Sequence, residues 1–200
     1  MLAEDIEFAR AEEYPLRERE YTDEQLTEED MQKTEFVNTR FLRCRFFDCD
    51  FSGAGFYSVL FEKCDFSNCR FSRSYWKASA VRECKGNGAK FDMAVLKHVS
   101  LEECRLDLTN FTRSVWENCS AEECNFAESF FSEVRFRTVR FEKSDFTKAD
   151  FFRTPLKGID FSDSIIEGIT VSEEHRELEG MKINMFQAAE IARLLGVKIV

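Results

Sequence analysis

The sequence repeats with a period of five residues over most of its length. From Phe36 to Ile166 a central residue, usually bulky and apolar, recurs every five positions, 27 times, without an insertion or deletion, and 17 of these centres are Phe. The residue two positions before each centre is small or β-branched, and the other three positions are mostly polar, charged or Gly. Such a period predicts a repeat architecture, because each unit buries its apolar face only by stacking on copies of itself.

A period of five fits neither an α-helix nor a single β-strand. On a helix, steps of five turn successive centres by about 140° and spread the rings around every side. On a strand, an odd spacing places alternate centres on opposite faces. The pattern instead predicts that the chain turns a corner every five residues and points two side chains inward from each straight edge. The predicted fold class is therefore an all-β solenoid.

Several positions also repeat every 20 residues, which predicts four edges per coil. All eight cysteines occupy the small inward position, where reduced Cys packs as a small hydrophobe. Stacked cysteines point their Cβ atoms the same way at the coil spacing, beyond the roughly 3.5–4.5 Å of a disulfide. They also lack the Cys-x-x-Cys pair that is typical of zinc sites. We therefore expect reduced core cysteines, no metal site and no cofactor. The five that share the 20-residue spacing are Cys44, Cys64, Cys84, Cys104 and Cys124.

The charge and the repeat divide the 200 residues into three segments: an acidic segment 1–35, the repeat region 36–170 and a tail 171–200. Residues 1–35 carry 13 acids and 4 bases, whereas residues 36–170 carry 20 of each. The apolar runs are too short to span a membrane. The acidic N-terminus lacks the basic and apolar regions of a secretory signal. We therefore expect one cytoplasmic domain.

The first segment keeps the phase of five without the small inward residue. Two structures are open for it: a degenerate first coil, or a short helix with Thr22 as its cap. We favour the coil, which would close the N-terminal opening and its unpaired strand edges, with Met1 to Tyr14 loosely packed. The apolar residues in phase with the later centres are Tyr21, Leu26 and Met31.

The tail changes period and predicts a short C-terminal α-helix. Asn184 is a suitable N-cap for a helix from Met185 to Leu195, and Gly196 suits the left-handed residue that follows a helix. Val197 to Val200 is expected to form a short strand. The apolar stripe of the helix is wider than a cap needs, which favours a two-fold homodimer over a purely intramolecular cap. The residues predicted to form the dimer contact are Phe186, Ala189, Ile191, Leu194 and Leu195.

One edge of the predicted coil carries an acidic stripe, and the neighbouring edge is basic. Carboxylates repeated about every 4.8 Å along a stiff rod approach the spacing of about 3.4 Å between phosphates of a DNA strand. The stripe therefore has two interpretations, a DNA-like surface or a solvated face that serves solubility, and the charge pattern alone favours the second. The acidic residues are Glu62, Glu83, Glu102, Glu103, Glu122, Glu123 and Glu142.

The sequence contains no arrangement typical of a catalytic site. His98 and His175 have no motif partner, and the glycines around Gly86 lack the spacing of a phosphate loop. We expect Gly86 to mark a local irregularity or kink. A solenoid with a filled core offers no cleft in which a carboxylate pKa would be raised. A binding protein is therefore favoured over an enzyme.

The unit of five, which runs small, polar, Phe or Leu, polar, polar, resembles the pentapeptide-repeat family over about two thirds of the chain. This resemblance implies a right-handed quadrilateral β-helix. The stretches from Cys84 to Phe91, Thr154 to Phe161 and Gln187 to Gly196 are similar to the quinolone-resistance branch, the Qnr and MfpA-type proteins. Many Qnr proteins have projecting loops, which the unbroken period here does not provide.

The resemblance to that branch implies a homodimeric DNA mimic. Such a protein binds DNA gyrase or topoisomerase IV and protects it from quinolones, without touching nucleic acid or membrane itself. The alternative is a structural or scaffold module that binds a different protein, for example in toxin immunity.

Overall fold

The computed structural model describes residues 1–199 as a four-sided parallel β-solenoid with a helix at each end. The helices are α1 (Leu2–Glu12) and α2 (Gln187–Leu194), and a 3₁₀ turn spans Arg176–Leu178. In chain order the strands are β1 (Leu16–Arg17), β2 (Glu20–Thr22), β3 (Gln25–Thr27), β4 (Glu35–Val37), β5 (Arg40–Leu42), β6 (Arg45–Phe47), β7 (Gly55–Tyr57), β8 (Leu60–Glu62), β9 (Tyr75–Lys77), β10 (Ala80–Arg82), β11 (Val95–Lys97), β12 (Ser100–Glu102), β13 (Val115–Glu122) and β14 (Arg135–Glu142).

Successive coils pair in parallel at an offset of 20 residues, which confirms the predicted four edges. On the first face Phe36 pairs with Phe56, and on the second Phe41 pairs with Phe61. The first face consists of β1, β4, β7, β9, β11 and the starts of β13 and β14. The second consists of β2, β5, β8, β10, β12 and the ends of β13 and β14. The third and fourth faces are joined largely by single bridges, such as that between Asp65 and Lys85.

The corner between two faces lies two residues after each centre and is left-handed in nearly every unit. Asn38 has φ 50° and Gly158 has φ 82°. A residue with a side chain costs about 1–2 kcal/mol in this conformation. Hydrogen bonds between coils offset that cost: the N–H of Asn38 donates to the carbonyl of Tyr57 at 2.9 Å. This corner is the local reason for a period of five.

The centres fill the core, as predicted. Of the 27 centres, all except Phe136 are buried. Rings on one face stack from coil to coil, as Phe51 does on Phe71 with 4.6 Å between centroids. Rings on adjacent faces meet edge to face, as Phe46 and Phe51 do at 5.3 Å. Both geometries are favourable for aromatic pairs.

The small inward residue satisfies carbonyls of the preceding coil. The thiol of Cys64 donates to the carbonyl of Phe41 at 3.3 Å, and the hydroxyl of Ser79 donates to the carbonyl of Phe56 at 3.1 Å. The acceptor in each case is the carbonyl of the residue 23 positions earlier in the chain. All eight cysteines are buried and unbridged, which confirms their predicted packing role.

Gly86 does not kink the coil, so the irregularity predicted there is wrong. Its N–H donates to the carbonyl of Arg105 at 2.8 Å, and Lys85 keeps its bridges on both sides. A Cβ atom at position 86 would overlap the ring of Phe66. The missing side chain is therefore replaced by a neighbouring ring, and the backbone keeps its register.

Helix α1 closes the N-terminal end of the rod. Leu2, Ile6 and Ala9 are buried on the first coil, and the hydroxyl of Tyr21 donates to Asp5 Oδ2 at 2.7 Å. The expectation of loose packing from residue 1 to 14 is wrong, because three apolar side chains at helical spacing cover the open core. Residues 16–31 form the expected first coil, and position 22 lies in β2 rather than at the start of a helix.

The strand ladder of the first two faces stops at β14. In earlier coils the residue before the first-face centre donates its N–H across the ladder, as Val115 does to Ala94 at 2.9 Å. Pro155 occupies the equivalent position in the next coil and has no N–H. Turns at 157–158 and 162–163 replace the strands, and across the described chain no backbone hydrogen bond joins residues 135–143 to residues 155–163.

The tail continues the coil irregularly and contains a buried carboxylate. The N–H of Leu156 donates to the carbonyl of Glu177 at 2.9 Å. The carboxylate of Glu177 accepts from the N–H of Arg153 at 2.8 Å, and from the N–H and hydroxyl of Ser172 at 3.2 and 2.9 Å. This glutamate ties the tail to the last coil.

Helix α2 begins two residues later than predicted. The N-cap is Phe186 rather than the predicted Asn184, although Asn184 Oδ1 accepts from the N–H groups of Phe186 and Gln187 at 2.8 and 3.0 Å. Gly196 is left-handed, as expected, with φ 80°. The strand predicted from Val197 is not formed up to residue 199, and Val200 lies outside the described residues. Between residues 1 and 199 neither helix is long and apolar enough to cross a membrane.

Candidate protein-binding surface

The second face and its corner hold the predicted acidic residues in two columns. In the strand column, Glu102, Glu122 and Glu142 pair in register on three adjacent coils. In the corner column, the left-handed residues are Glu83, Glu103 and Glu123, with φ 50°, 53° and 53°. These six residues form what we call the acidic block. Glu62 lies outside the block, because Arg82 stands between it and Glu102 in the ladder.

Bases at the border of the acidic block pair with most of its carboxylates across coils. Glu103, at the centre of its column, has no ion pair among residues 1–199. Glu62 is paired with Arg40 at 2.7 Å, and this hydrogen bond lowers the pKa of the Glu62 carboxyl. The border pairs are Lys63 with Glu83 at 3.6 Å, Arg82 with Glu102 at 3.0 Å, Arg140 with Glu142 at 3.0 Å, and Lys143 with Glu123 at 3.1 Å and Glu122 at 3.9 Å.

The acidic block is not explained by stability. Like charges directly opposite on paired strands destabilise a sheet, and adjacent coils lie only about 4.8 Å apart. Exposed ion pairs return about 0–1 kcal/mol each. Three stacked carboxylates in each of two columns are therefore an arrangement that the fold tolerates rather than needs.

The first face has the opposite charge. Lys77 and Lys97 are in register on adjacent coils, and Lys97 pairs with Glu117 at 3.4 Å. Arg135 and Arg137 are exposed on the last strand of this face. The rod thus has adjacent acidic and basic walls, as the sequence predicts.

The residues predicted to form the dimer contact, on and around helix α2, fall into two sets: one packs against the core and the other is exposed. Ile191 and Leu194 are partly buried against the core and belong to the cap. Phe186 and Leu195 are 81% and 52% exposed, and Ala189 is half-buried between the two sets. The apolar side chains that remain exposed on the tail, called here the exposed apolar cluster, are Met185, Phe186, Leu195, Val197 and Ile199.

The residues considered for catalysis lie apart. His98 is an exposed corner residue of the first face, whereas His175 lies in the tail next to the 3₁₀ turn. A surface cleft of about 570 Å³ lies between α1 and the first coil. Its charged lining includes Arg10 and Asp30, which neutralise each other at 2.9 Å.

Comparison with known proteins supports the fold and the repeat. Residues 54–131 match the family model described as a pentapeptide repeat region. Full-length QnrB1, a plasmid-mediated fluoroquinolone resistance protein, superposes with a TM-score of 0.51 at 20% identity, over 89% of this chain and 100% of that chain. A trypsin-treated variant of QnrB1 gives 0.52 at 20% identity, over 90% and 100%.

At this identity the likeness to QnrB1 concerns the fold. A comparison with curated protein sequences gives no match. Residues 54–131 therefore contain a pentapeptide-repeat region, and the chain shares its solenoid fold with QnrB1.

Proposed function

We propose that this protein binds a type II topoisomerase, DNA gyrase or topoisomerase IV, through the acidic block and protects that enzyme from quinolones. The observation that carries the proposal is the pair of carboxylate columns, each of which covers three adjacent coils of the rod. QnrB1, which shares the solenoid fold, is described as a fluoroquinolone resistance protein. The rod acts as a binding protein and not as an enzyme.

The acidic block suits a surface that normally receives DNA phosphates. Its border bases are solvent-exposed, Arg82 by 48% and Lys143 by 61%. Exposed pairs of this kind contribute about 0–1 kcal/mol, so Lys and Arg side chains of a partner can replace them at little cost. Regular negative charge also steers a positively charged partner toward the rod and raises the association rate.

The exposed apolar cluster would join two rods end to end about a two-fold axis. Phe186 and Met185 are the most exposed of its side chains, at 81% and 80%. Such a homodimer carries two acidic blocks and covers an apolar surface that is exposed to solvent in the monomer. The free thiols of the core suit a reducing compartment, and we place the protein in the cytoplasm.

The test is a gyrase supercoiling assay in the presence of ciprofloxacin. The wild-type protein should relieve the inhibition, and Glu103→Lys should need at least about tenfold more protein, a loss of about 1.4 kcal/mol of binding. Glu128→Lys is the matched control, because Glu128 is also an exposed left-handed corner residue, with φ 56°, but lies on the third face. It should behave as the wild type.

The possible outcomes test the proposed function and the proposed binding surface separately. If the wild-type protein neither relieves inhibition nor alters supercoiling, and a pull-down recovers no topoisomerase, the proposed function is wrong. If Glu103→Lys protects as well as the wild type, the function stands and the acidic block is not the surface that performs it.

The ion pairs around the acidic block favour a second candidate, a scaffold module for a protein that does not bind DNA. Six carboxylates with four bordering bases present mixed charge, which is also complementary to a mixed-charge protein partner. An affinity pull-down from the host that returns one partner other than a topoisomerase would support this candidate.

A further inference from the structure

Within residues 1–199, the side wall of the rod opens to solvent beside β14. The first-face centres of the five preceding coils from Phe36 to Trp116 are at most 3% exposed. Phe136, the next centre on that face, is partly exposed. The same holds for the small inward residue of the next unit: Val139 is partly exposed, whereas Cys119 above it is 4% exposed.

The opening coincides with an unpaired strand edge. In every earlier coil the N–H two residues after a centre donates to the next coil, as the N–H of Arg43 does to Glu62 at 2.9 Å. Counted over the described chain, the N–H groups of Phe136, Thr138, Phe141 and Lys143 have no acceptor. An unpaired edge of this kind is a template for another extended chain.

The opening is confined to the outer wall. The rings of Phe141 and Phe161 still stack with 5.6 Å between centroids, so the two coils remain in contact at the rod axis. The third and fourth faces keep their hydrogen bonds, such as that from the N–H of Phe146 to Ile165 at 2.8 Å. A Cβ atom built on Gly158, the corner of the next coil, would meet nothing within 4 Å. Because Phe136 and Val139 are partly exposed, solvent reaches the edge of β14 from the side.

The charge around this edge indicates which kind of segment could bind there. Arg135, Arg137 and Arg140 project from β14 and are exposed. Only Arg140 has an ion pair within residues 1–199, with Glu142 at 3.0 Å. Lys157 on the next coil adds a further exposed positive charge. A strand bound here would lie among cations, so its outward side chains should be acidic.

We propose that β14 binds an extended acidic segment of a partner protein by β-strand addition. Backbone hydrogen bonds provide the binding energy: the free N–H groups of β14 donate to the peptide, and a carbonyl without a backbone donor in the described chain, that of Val134, accepts from it. Phe136 and Val139 receive apolar side chains, and Arg135 and Arg137 bind acidic ones. Pro155 keeps the site open, because it removes the N–H that would otherwise continue the ladder. Each face of β14 offers three to four residues, about 10–13 Å of strand. The cationic part of this surface is the first-face half of β14, and it adjoins the acidic block, to which Glu142 at the end of the strand belongs.

The test uses a fluorescein-labelled, end-capped eight-residue peptide of alternating Glu and Val, with binding to the full chain measured by fluorescence anisotropy. N-methylation of alternate peptide nitrogens leaves its charge unchanged and removes its ladder donors. Arg135→Glu/Arg137→Glu should weaken binding at least about tenfold. Arg105→Glu is the matched control, since Arg105 is exposed and precedes a centre on the third face.

The proposal expects saturable binding, at least about tenfold weaker binding of the N-methylated peptide, and slower amide exchange at Phe136 and Thr138 when the peptide is bound. It is overturned if no binding appears up to about 1 mM peptide, or if the N-methylated peptide binds equally well. Binding that leaves exchange at those two amides unchanged, or that falls equally in Arg105→Glu, also overturns it. A dimer of this chain that buries the same edge would identify a second copy as the occupant and would contradict the acidic partner.

Discussion

Truncation of Phe111 tests whether the fourth-face rings form one continuous core column. Phe111 is 1% exposed and stacks between Phe91 and Phe131, with centroids 5.3 and 5.0 Å away. It also meets Trp116 edge to face at 5.1 Å. Removing it therefore deletes contacts to three coils at once.

The expected loss of stability follows from the buried area. Replacing Phe111 with Ala removes about 150 Å² of buried apolar surface, which at about 25 cal/mol per Å² corresponds to about 4 kcal/mol. Core Phe→Ala substitutions cost about 3–5 kcal/mol, depending on how far the cavity collapses. Here the coil spacing holds the flanking rings in place, so we expect a value in the upper half of this range.

Urea denaturation followed by circular dichroism measures the change. Phe130→Ala is the matched control, because Phe130 precedes Phe131 in the chain and is 47% exposed. The control should change the free energy of unfolding by less than about 1 kcal/mol. A change below about 1 kcal/mol for Phe111→Ala itself would mean that this ring is not part of a packed core, and would refute the reasoning.

Three further predictions concern two glycines, the tail and the thiols. Gly86→Ala should lower the free energy of unfolding by about 1–3 kcal/mol, because the added methyl group overpacks against Phe66. Gly158→Ala should lower it by about 1–2 kcal/mol because of the left-handed φ of 82° alone. If Gly86→Ala leaves stability unchanged, the ring of Phe66 moves aside freely. Burial by itself raises the pKa of Glu177, but hydrogen bonds from backbone N–H groups and Ser172 outweigh it, so the pKa lies below its ordinary 4.5. Its stabilisation is therefore complete above pH 4.5 and is lost as the pH falls through the lower folded value. The stability difference between wild type and Glu177→Gln should accordingly shrink between pH 7 and pH 3, and an unchanged difference would contradict this. All eight cysteines are buried, and burial also raises the pKa of the Cys119 thiol. Iodoacetamide at pH 8 should therefore label Cys119 only after unfolding, with labelling of the folded protein as the contrary result.

The repeat could be predicted from the sequence because its cause is local. Each corner is made within five residues, and each inward ring is followed by another five positions later. The 20-residue recurrences then indicated four faces, and the structure pairs Phe36 with Phe56 at that offset. The same 20-residue spacing could have predicted ion pairs at the acidic block, because Lys63 and Glu83 carry opposite charges 20 positions apart.

Other features had a visible signal that the repeat obscured. Leu2, Ile6 and Ala9 have the spacing of one helix face, and this pattern could have predicted α1. Pro155 indicates where the strand ladder ends, because proline has no N–H to donate to the neighbouring coil. Glu177 had no such signal, because its burial depends on Ser172 and Arg153, which the irregular tail brings around it.

The sequence by itself determined the solenoid, its four faces and the inward rings, because each of these depends on a short repeating unit that must stack on its copies. Only the tertiary structure decided which acids remain unpaired, which side of α2 stays exposed and where the ladder opens. Those properties arise between coils, or where the repeat meets its caps, and there the partner of each group comes from a part of the chain that the local pattern does not specify.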